Sequence, residues 1–331
     1  MYSMNDKIKE FLLSCSEIGF GEVNLAEGEK KFCSELNDEI HALCKALPPS
    51  IQTDALLLLM RYFRRTFVGK PSFFMNYYTP AWSVIYWIIH CRPDRGDLSQ
   101  QDIGNAKTAH SMALLLHPLD DHLCDGQLAV THLNLLMRSQ AWMIMNNSMR
   151  NLAEGLVDGN QIVDGFIDDY YCGINSSDDI SSLDGYVDLF RKQMATGYIV
   201  PVLLSKKISS NGEFAAAIQS VYGSFGIAWR LLDDINDIEA DMMTGSKSAI
   251  YACLPESLKK CWDKNRNQKN SDDTESILNY VAANGVAEKI VDRIRIELES
   301  GAATADKYRL TKLADELECL AKPLRQRQNP V

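Results

Sequence analysis

The sequence predicts an all-α protein, a single bundle of about ten or more helices. Most of its 331 residues lie in stretches with apolar side chains three and four positions apart, the spacing of a helix that buries one or more faces. Its 19 glycines and 10 prolines are few for a sheet-rich chain with many tight turns. No stretch reads as a row of alternating strands. We therefore expect one domain over residues 1–331.

Helical spacing is clearest in seven segments, some of them apolar enough to be buried on all sides. In chain order these segments are 51–67, 79–90, 105–116, 128–149, 183–204, 214–238 and 307–320. Glycine, proline and polar residues punctuate the chain between them, and the most linker-like stretch is the polar segment 263–273. Because helical spacing resumes on both sides of it, we interpret this segment as a surface loop within one domain.

Composition excludes several classes of protein. Lys and Arg number 34 and Asp and Glu 44, and the net charge of −10 argues against a general nucleic-acid binder. Nine cysteines without a CxxC pair, together with an N-terminus that lacks a signal-peptide pattern, favour reduced thiols and a cytoplasmic location. The longest apolar run, 81–89, is shorter than the roughly 18 residues that span a bilayer, so we expect no integral membrane segment.

The first of two aspartate clusters lies at the end of an apolar stretch. Asp121 and Asp125 are four residues apart, hence on one helix face, with Asp120 beside them and His117 on the same stripe. Leucines precede the cluster, and another apolar helix follows it. The carboxylates therefore belong to a helix that is otherwise largely buried.

The second cluster repeats this arrangement. Asp233, Asp237 and Asp241 follow one another at four-residue spacing, and Asp234 flanks them. Like charges at this spacing repel, and no Lys or Arg occupies the intervening positions of either stripe. A solvated acidic helix face is the simplest interpretation. The apolar surroundings favour paired or metal-bound carboxylates instead, because isolated buried charges are costly.

Carboxylate oxygens are the ligands that Mg²⁺ prefers, and this ion usually takes one or two of them and completes its shell with water and substrate phosphate. Two such clusters that face each other would hold a group of Mg²⁺ ions, and those ions would hold a diphosphate. A zinc site formed by His117, Asp121, His122 and Cys124 is a weaker alternative, because His122 and Cys124 point to other helix faces than Asp121.

The second cluster resembles the second aspartate-rich DDxxD region of the class I isoprenoid synthases. The residues that carry this resemblance are Asp233 to Asp237 (DDIND), the lead-in from Tyr222 to Trp229 (YGSFGIAW), and the following Gly245 to Ser248 (GSKS). The first cluster resembles the first aspartate-rich motif of that superfamily, with DDxxxD spacing where DDxxD or DDxxxxD is usual. The superfamily contains trans-prenyl diphosphate synthases and class I terpene synthases.

The resemblance implies an antiparallel helical bundle with both motifs at the mouth of a central apolar cavity. It implies three Mg²⁺ ions that bind an allylic prenyl diphosphate, which then ionises. The implied metal ligands and catalytic groups are Asp121, Asp125, Asp233 and Asp237, with Asp120, Asp234 and Asp241 as further ligands or their support. Candidate cavity walls are aromatic residues and a methionine, although core packing is the alternative for each of them: Phe73, Phe74, Tyr77, Tyr78, Trp82, Trp142, Met143 and Trp229.

The sequence departs from the chain-elongating branch where that branch binds isopentenyl diphosphate. The N-terminal GGKR-like motif is missing, and the nearest basic groups are Arg64-Arg65 and Lys70-Pro71. No arginine pair follows the first motif, and Arg138 is the first cation after it. Arg230 replaces the usual glutamine before the second motif, while Lys247 matches the family's lysine beyond it. The predicted diphosphate contacts are Arg138, Arg191, Lys192, Arg230 and Lys247.

Metal ligands without a recognisable isopentenyl diphosphate site favour a one-substrate, terpene synthase-like reaction: cyclisation, rearrangement or hydroxylation with release of diphosphate. Chain elongation with isopentenyl diphosphate is the main alternative. Transfer to another acceptor and a non-catalytic partner subunit with this fold are further ones. By analogy with the family we expect a possible homodimer, and the basic C-terminal segment 307–327 either closes over the diphosphate or is a solvated amphipathic helix.

Overall fold

The computed structural model of the chain describes residues 6–63, 73–74, 77–90, 98–124, 126–176, 180–209, 212–265 and 271–326. The basic residues Arg64, Arg65 and Lys70 lie outside these ranges, and so does the predicted metal ligand Asp125.

The described residues form sixteen α-helices and one short 3-10 helix and contain no strand, which confirms the all-α prediction. The 3-10 helix is Pro49–Ile51. The α-helices are α1 Asp6–Ser16, α2 Glu27–Ala46, α3 Gln52–Tyr62, α4 Pro80–His90, α5 Gln100–Cys124, α6 His132–Ala153, α7 Gly159–Ile174, α8 Leu183–Gln193, α9 Ala195–Ile208, α10 Gly212–Asn236, α11 Ile238–Thr244, α12 Ala249–Ala252, α13 Glu256–Asn265, α14 Ser271–Ala283, α15 Val286–Lys307 and α16 Thr311–Gln326.

Several of the predicted helices have different bounds in the structure. The helix predicted for 105–116 is part of α5, which is longer and continues through Pro118. The segment 183–204 forms two helices, α8 and α9, with a break at Met194. The Met194 thioether packs against Gly226 of α10, where any side chain would overlap it. The break therefore coincides with a close approach of α10, which the helical spacing of 183–204 does not reveal.

Helices α4 and α9 are central in the bundle. Nine of the eleven residues of α4 and eleven of the fourteen residues of α9 are buried, as expected for helices surrounded by others. Helix α9 contacts α4, α5, α7 and α10, while α10 also packs along α15. The buried apolar residues form one connected core. No helix in the described ranges combines the length and the apolar character needed to cross a membrane.

A buried carboxyl group joins the C-terminal helix to the centre of the bundle. Glu316 of α16 accepts a hydrogen bond from the Ser83 hydroxyl of α4 and another, of 2.6 Å, from the Trp87 indole N–H. Burial, with a smaller contribution from the nearby Glu29 of α2, raises the pKa of Glu316 from 4.5 to about 8, although the hydrogen bonds from Ser83 and Trp87 lower it. The folded chain therefore holds a proton on Glu316 at pH values where the unfolded chain has lost it.

This proton makes stability depend on pH. Because the pKa of Glu316 is raised on folding, the free energy of unfolding falls as pH rises from about 4.5 towards about 8. We expect Glu316→Gln to remove this dependence, so that the variant gains on the order of a few kcal/mol over the wild type between pH 5 and pH 8. Urea unfolding at both pH values measures the difference.

The matched control is Glu318→Gln, which changes an exposed glutamate of the same helix that pairs with Arg325. It should follow the wild type at both pH values, since a surface ion pair contributes little. Parallel stability curves for Glu316→Gln and the wild type would contradict the assignment.

Candidate active site

An apolar cavity of about 390 Å³ lies between α3, α4, α5, α8, α9 and α10. Aromatic and aliphatic side chains form most of its wall. Two carboxylates, Asp121 of α5 and Asp233 of α10, line it as well. Asp121 is exposed and the Asp233 side chain is 45% exposed, so both lie at the end of the cavity that is open to solvent.

Pro118 shapes the wall of the cavity just before the first motif. Proline has no N–H, so the carbonyl of Leu114, four residues earlier in α5, loses its helical hydrogen bond. The Tyr77 hydroxyl donates to this carbonyl instead, at 2.8 Å. Tyr77, Leu114 and Pro118 all line the cavity. The proline thus fixes an aromatic wall residue nearly two turns before the aspartates.

The two adjacent aspartates of the first motif have different partners. Asp121 lines the cavity and has no hydrogen bond or ion pair to any described residue. Asp120 faces α6 and α7, where Arg138 donates to both its oxygens, at 2.9 and 2.8 Å. The Tyr170 hydroxyl donates to the same carboxylate at 3.3 Å.

The two adjacent aspartates of the second motif also have different surroundings. Asp233 lines the cavity, and its nearest cation is the Arg230 guanidinium at 3.7 Å. Asp234 is 1% exposed and lies 3.1 Å from Arg230 Nε. Its other oxygen accepts the backbone N–H of Ala249 at 2.8 Å. Arg230 also donates to the Tyr186 hydroxyl at 2.9 Å.

Asp237 and Asp241 extend the second motif beyond the end of α10. Asp237 stands at the junction of α10 and α11 and lines a neighbouring hollow with Lys9, Ser16 and Glu239. Asp241 is half-buried on α11, and its Oδ2 atom is buried with no hydrogen-bond partner in the described part of the chain.

Two carboxyl groups of the second motif have raised pKa values. The pKa of Asp233 is raised to about 6, mainly by burial; Arg230 offsets part of this effect, and the charges of Asp237, Asp234 and Asp121 add to it. Burial, followed by the charge of Asp234, raises the pKa of Asp241 to about 8. Both motifs also occupy the last turns of α5 and α10, where the helix dipole disfavours negative charge. A bound cation would relieve this repulsion.

The residues fit a hard divalent cation. The carboxylates at the cavity mouth are incompletely paired, and Asp241 keeps an orphaned oxygen. Within the described ranges, no three His, Cys, Asp or Glu side chains converge closely enough to form a complete metal site. The two cavity-lining carboxylates are compatible with Mg²⁺, which takes few carboxylates and keeps water or phosphate in its shell. Within the same ranges, the alternative zinc ligands do not form such a group, and the His122 Nδ1 atom is hydrogen-bonded to Tyr62 at 2.8 Å.

The predicted diphosphate contacts are dispersed. Arg191 and Lys192 line a separate hollow beside Tyr198 and Ser224, and Arg191 pairs with Asp188 at 2.7 Å. Arg138 and Arg230 are held by aspartates, as described above. Lys247 is exposed on the loop after α11, 5.4 Å above the Tyr251 ring.

The cavity wall differs from the one predicted. Tyr77, Tyr78 and Trp229 line it, but the other five candidates do not. Trp82 lies in the core because Ala81, the preceding residue of α4, faces the cavity and neighbouring helical positions point about 100° apart. Phe73 and Phe74 are buried, and Trp142 and Met143 lie on the outer side of α6.

Several wall residues were not predicted from the sequence. His117 lies one turn before Asp121 and packs its ring 5.6 Å from that of Trp229. Its four-residue spacing from Asp121 could have indicated that it also faces the cavity. Tyr62, Tyr222 and Phe190 also line the cavity. Tyr62 comes from α3, far from either motif in the sequence, and no local pattern indicates its position.

No protein-family model and no curated protein matches the sequence. Solved structures match the fold over most of the chain. The geranylgeranyl pyrophosphate synthase from Corynebacterium glutamicum matches with a TM-score of 0.66 and 14% identity, over 97% of this chain and 99% of its own. The heptaprenyl diphosphate synthase from Staphylococcus aureus matches with a TM-score of 0.67 and 12% identity, over 91% and 98% respectively.

A third structure is the polyprenyl synthase from Caulobacter crescentus, solved with calcium and isoprenyl diphosphate. It matches with a TM-score of 0.62 and 13% identity, over 88% of this chain and 94% of its own. The chain therefore has the class I isoprenoid synthase fold that its aspartate motifs predict.

The carboxylates at the cavity mouth predict that Mg²⁺ stabilises the folded chain. A ligand at a hundredfold excess over its dissociation constant adds about 2.7 kcal/mol to the free energy of unfolding. We expect Mg²⁺ to raise the melting temperature of the wild type and to raise it much less in Asp233→Asn. Asp164→Asn, which removes an exposed carboxylate paired with Arg150, is the control and should keep the full shift. Equal shifts in all three proteins would exclude Asp233 as a ligand.

Proposed function

We propose that this chain is an enzyme, a Mg²⁺-dependent class I isoprenoid synthase that ionises an allylic prenyl diphosphate. The observation that carries the proposal is the pair Asp121 and Asp233, which come from two helices and meet at the open end of one apolar cavity. A diphosphate with an isoprenoid tail has the matching shape: an anion that binds through metal at the mouth and a hydrocarbon that fills the cavity. A non-catalytic partner subunit would have no need for these mutually repelling acids.

Asp121, Asp125, Asp233 and Asp237 would hold the Mg²⁺ ions, three in number if the site follows the family, with Asp120, Asp234 and Asp241 behind them. When bound, the ions supply positive charge that stabilises the departing diphosphate. The cavity wall contributes separately. Trp229 and Tyr78 offer aromatic faces, which stabilise a carbocation through the ring quadrupole, and the apolar lining excludes water.

Among the reactions open to such a site, chain elongation with isopentenyl diphosphate has the stronger support. The matched structures named above are prenyl diphosphate synthases, which favours this alternative over the terpene synthase-like reaction that the sequence suggested first. One observation supports the terpene synthase-like reaction as a second candidate. Arg230 is the single Lys or Arg among the described residues that line the cavity, and it is already paired with Asp234.

The two candidates differ in their need for a second substrate. We expect purified protein with Mg²⁺ and geranyl, farnesyl, geranylgeranyl or geranylfarnesyl diphosphate to form longer prenyl diphosphates when isopentenyl diphosphate is added. Without it, an elongating enzyme releases little or no hydrocarbon. Mass spectrometry of the aqueous and hexane-extracted fractions distinguishes the outcomes. Terpenoid formed from the allylic diphosphate alone would establish the second candidate and contradict the first.

We also propose that the chain forms a homodimer through the outer face of α6 and α7. This face carries exposed apolar side chains: Leu135, Leu136, Met143, Tyr171 and Ile174, which are 38–55% exposed. The rings of Trp142 and Tyr171, 6.0 Å apart, join the two helices into one surface. Exposed apolar patches of this kind mark interaction surfaces. We further propose a cytoplasmic location, with which the eight described cysteines are compatible, since none of them is in a disulfide.

A single charge should separate the subunits. We expect Met143→Asp to halve the mass measured by light scattering, because a carboxylate buried in an apolar interface is costly. Ile296→Asp is the matched control: Ile296 is 52% exposed on α15, outside the α6–α7 face, and Met143 is 55% exposed. Its mass should equal that of the wild type. A wild type that is monomeric at micromolar concentration would contradict the dimer.

A further inference from the structure

In each aspartate motif, one of the two adjacent carboxylates is bound by an arginine and a tyrosine, while its neighbour faces the cavity. Asp120 is bound by Arg138 and Tyr170, and Asp121 lines the cavity. This division follows from helix geometry, since consecutive residues project about 100° apart. A pair of aspartates in a helix therefore cannot present both carboxylates in one direction.

The arginine of the first motif binds both oxygens of the carboxylate. Arg138 Nε donates to one oxygen of Asp120 at 2.9 Å and its Nη2 donates to the other at 2.8 Å, the two-pronged geometry that only arginine offers. The Tyr170 hydroxyl adds a third bond. The Asp120 side chain is 12% exposed. Its oxygens are therefore directed into the junction of α5, α6 and α7, away from the cavity.

The second motif uses the same types of residue from other helices. Arg230 Nε lies 3.1 Å from Asp234 and 2.9 Å from the Tyr186 hydroxyl. The second oxygen of Asp234 accepts the Ala249 N–H. Asp234 is 1% exposed, whereas the neighbouring Asp233 is 45% exposed with one ion pair at 3.7 Å. Arg230 is four residues before Asp234 on α10, so the pair forms within one helix face.

We propose that Arg138 and Arg230 are internal counter-ions that remove Asp120 and Asp234 from the metal-binding set and leave Asp121 and Asp233 as the carboxylates presented to metal. The proposal rests on the function proposed above. It makes both arginines positioning residues instead of diphosphate contacts. Each one cancels a buried charge that would otherwise add to the repulsion at the cavity mouth. The chain thus reduces the positive charge that bound metal has to supply.

Substitution of Arg230 alone and substitution of both Arg230 and Asp234 should affect stability and metal affinity differently. Arg230→Gln leaves Asp234 as an unpaired buried carboxylate, which is strongly destabilising. The same change makes Asp234 available to a cation. We expect Arg230→Gln to lower the melting temperature and to raise the affinity for Mn²⁺ by about tenfold or more, because a unit charge is added beside the site. The double variant Arg230→Gln/Asp234→Asn should recover stability and return to the wild-type affinity.

Titration of the full chain with Mn²⁺ alone, followed by electron paramagnetic resonance, measures the affinity, and thermal unfolding measures the stability. A further titration uses inorganic diphosphate in the presence of Mg²⁺. If Arg230→Gln leaves Mn²⁺ affinity unchanged and weakens diphosphate binding, Arg230 is a diphosphate contact and the proposal is wrong. Additive effects of the two substitutions on the melting temperature would also overturn it.

If Arg230→Gln does not fold, the Arg138–Asp120 pair, which is less buried, provides the test. Arg138→Gln should lower the melting temperature, and the double variant Arg138→Gln/Asp120→Asn should recover it. Asp233→Asn is the reference for a lost ligand and should weaken Mn²⁺ binding by about tenfold or more. A wild-type chain that binds no Mn²⁺ contradicts the proposed function, and the stability comparison then decides the counter-ion proposal by itself.

Discussion

Repulsion between carboxylates at the ends of two buried helices is the constraint on which the site depends. Helices α5 and α10 both pack on α9 and bring Asp121 and Asp233 to the same cavity mouth. Each motif lies in the last turn of its helix, where the macrodipole opposes negative charge. The core supplies the free energy that holds the helices together against this repulsion, and arginines neutralise part of the charge. The remaining repulsion would favour the cation binding proposed for this site.

The cavity and the acidic mouth are built by the same helices, so packing and chemistry are linked. Pro118 removes a backbone donor from α5, and Tyr77 occupies the carbonyl that it frees. Gly226 admits the Met194 thioether where α8 passes into α9. Pro118 precedes Asp120 within one turn of α5, and Gly226 precedes Asp233 by about two turns of α10. A substitution at these positions would therefore alter the shape of the cavity without touching a carboxylate.

Sequence patterns sufficed to predict most of the helices and the two aspartate motifs, because both are recognised from residue spacing along one helix. Four-residue spacing also singled out Asp121 and Asp233 over their neighbours Asp120 and Asp234, and these two do line the cavity. It did not separate Ala81 from Trp82, because the rotation of α4 in the packed bundle decides which of the two faces the cavity. Arg138 could be predicted as a nearby cation, but its partner could not, since Asp120 belongs to another helix. The spacing of residues along one helix therefore did not predict side-chain contacts between helices such as this ion pair.

The distribution of positive charge bears on the choice of reaction. Chain elongation requires a second diphosphate beside the first, and a second anion needs cations that the aspartates have not already bound. Within the described part of the cavity wall, Arg230 is the single strong cation, and Asp234 and Tyr186 occupy it. If the chain elongates prenyl diphosphates, the second anion must be bound by other groups, such as Lys247 or the basic residues between α3 and α4. Elongation, as proposed, would therefore depend on cations outside the described cavity wall, and the aspartates alone do not distinguish it from the one-substrate reaction.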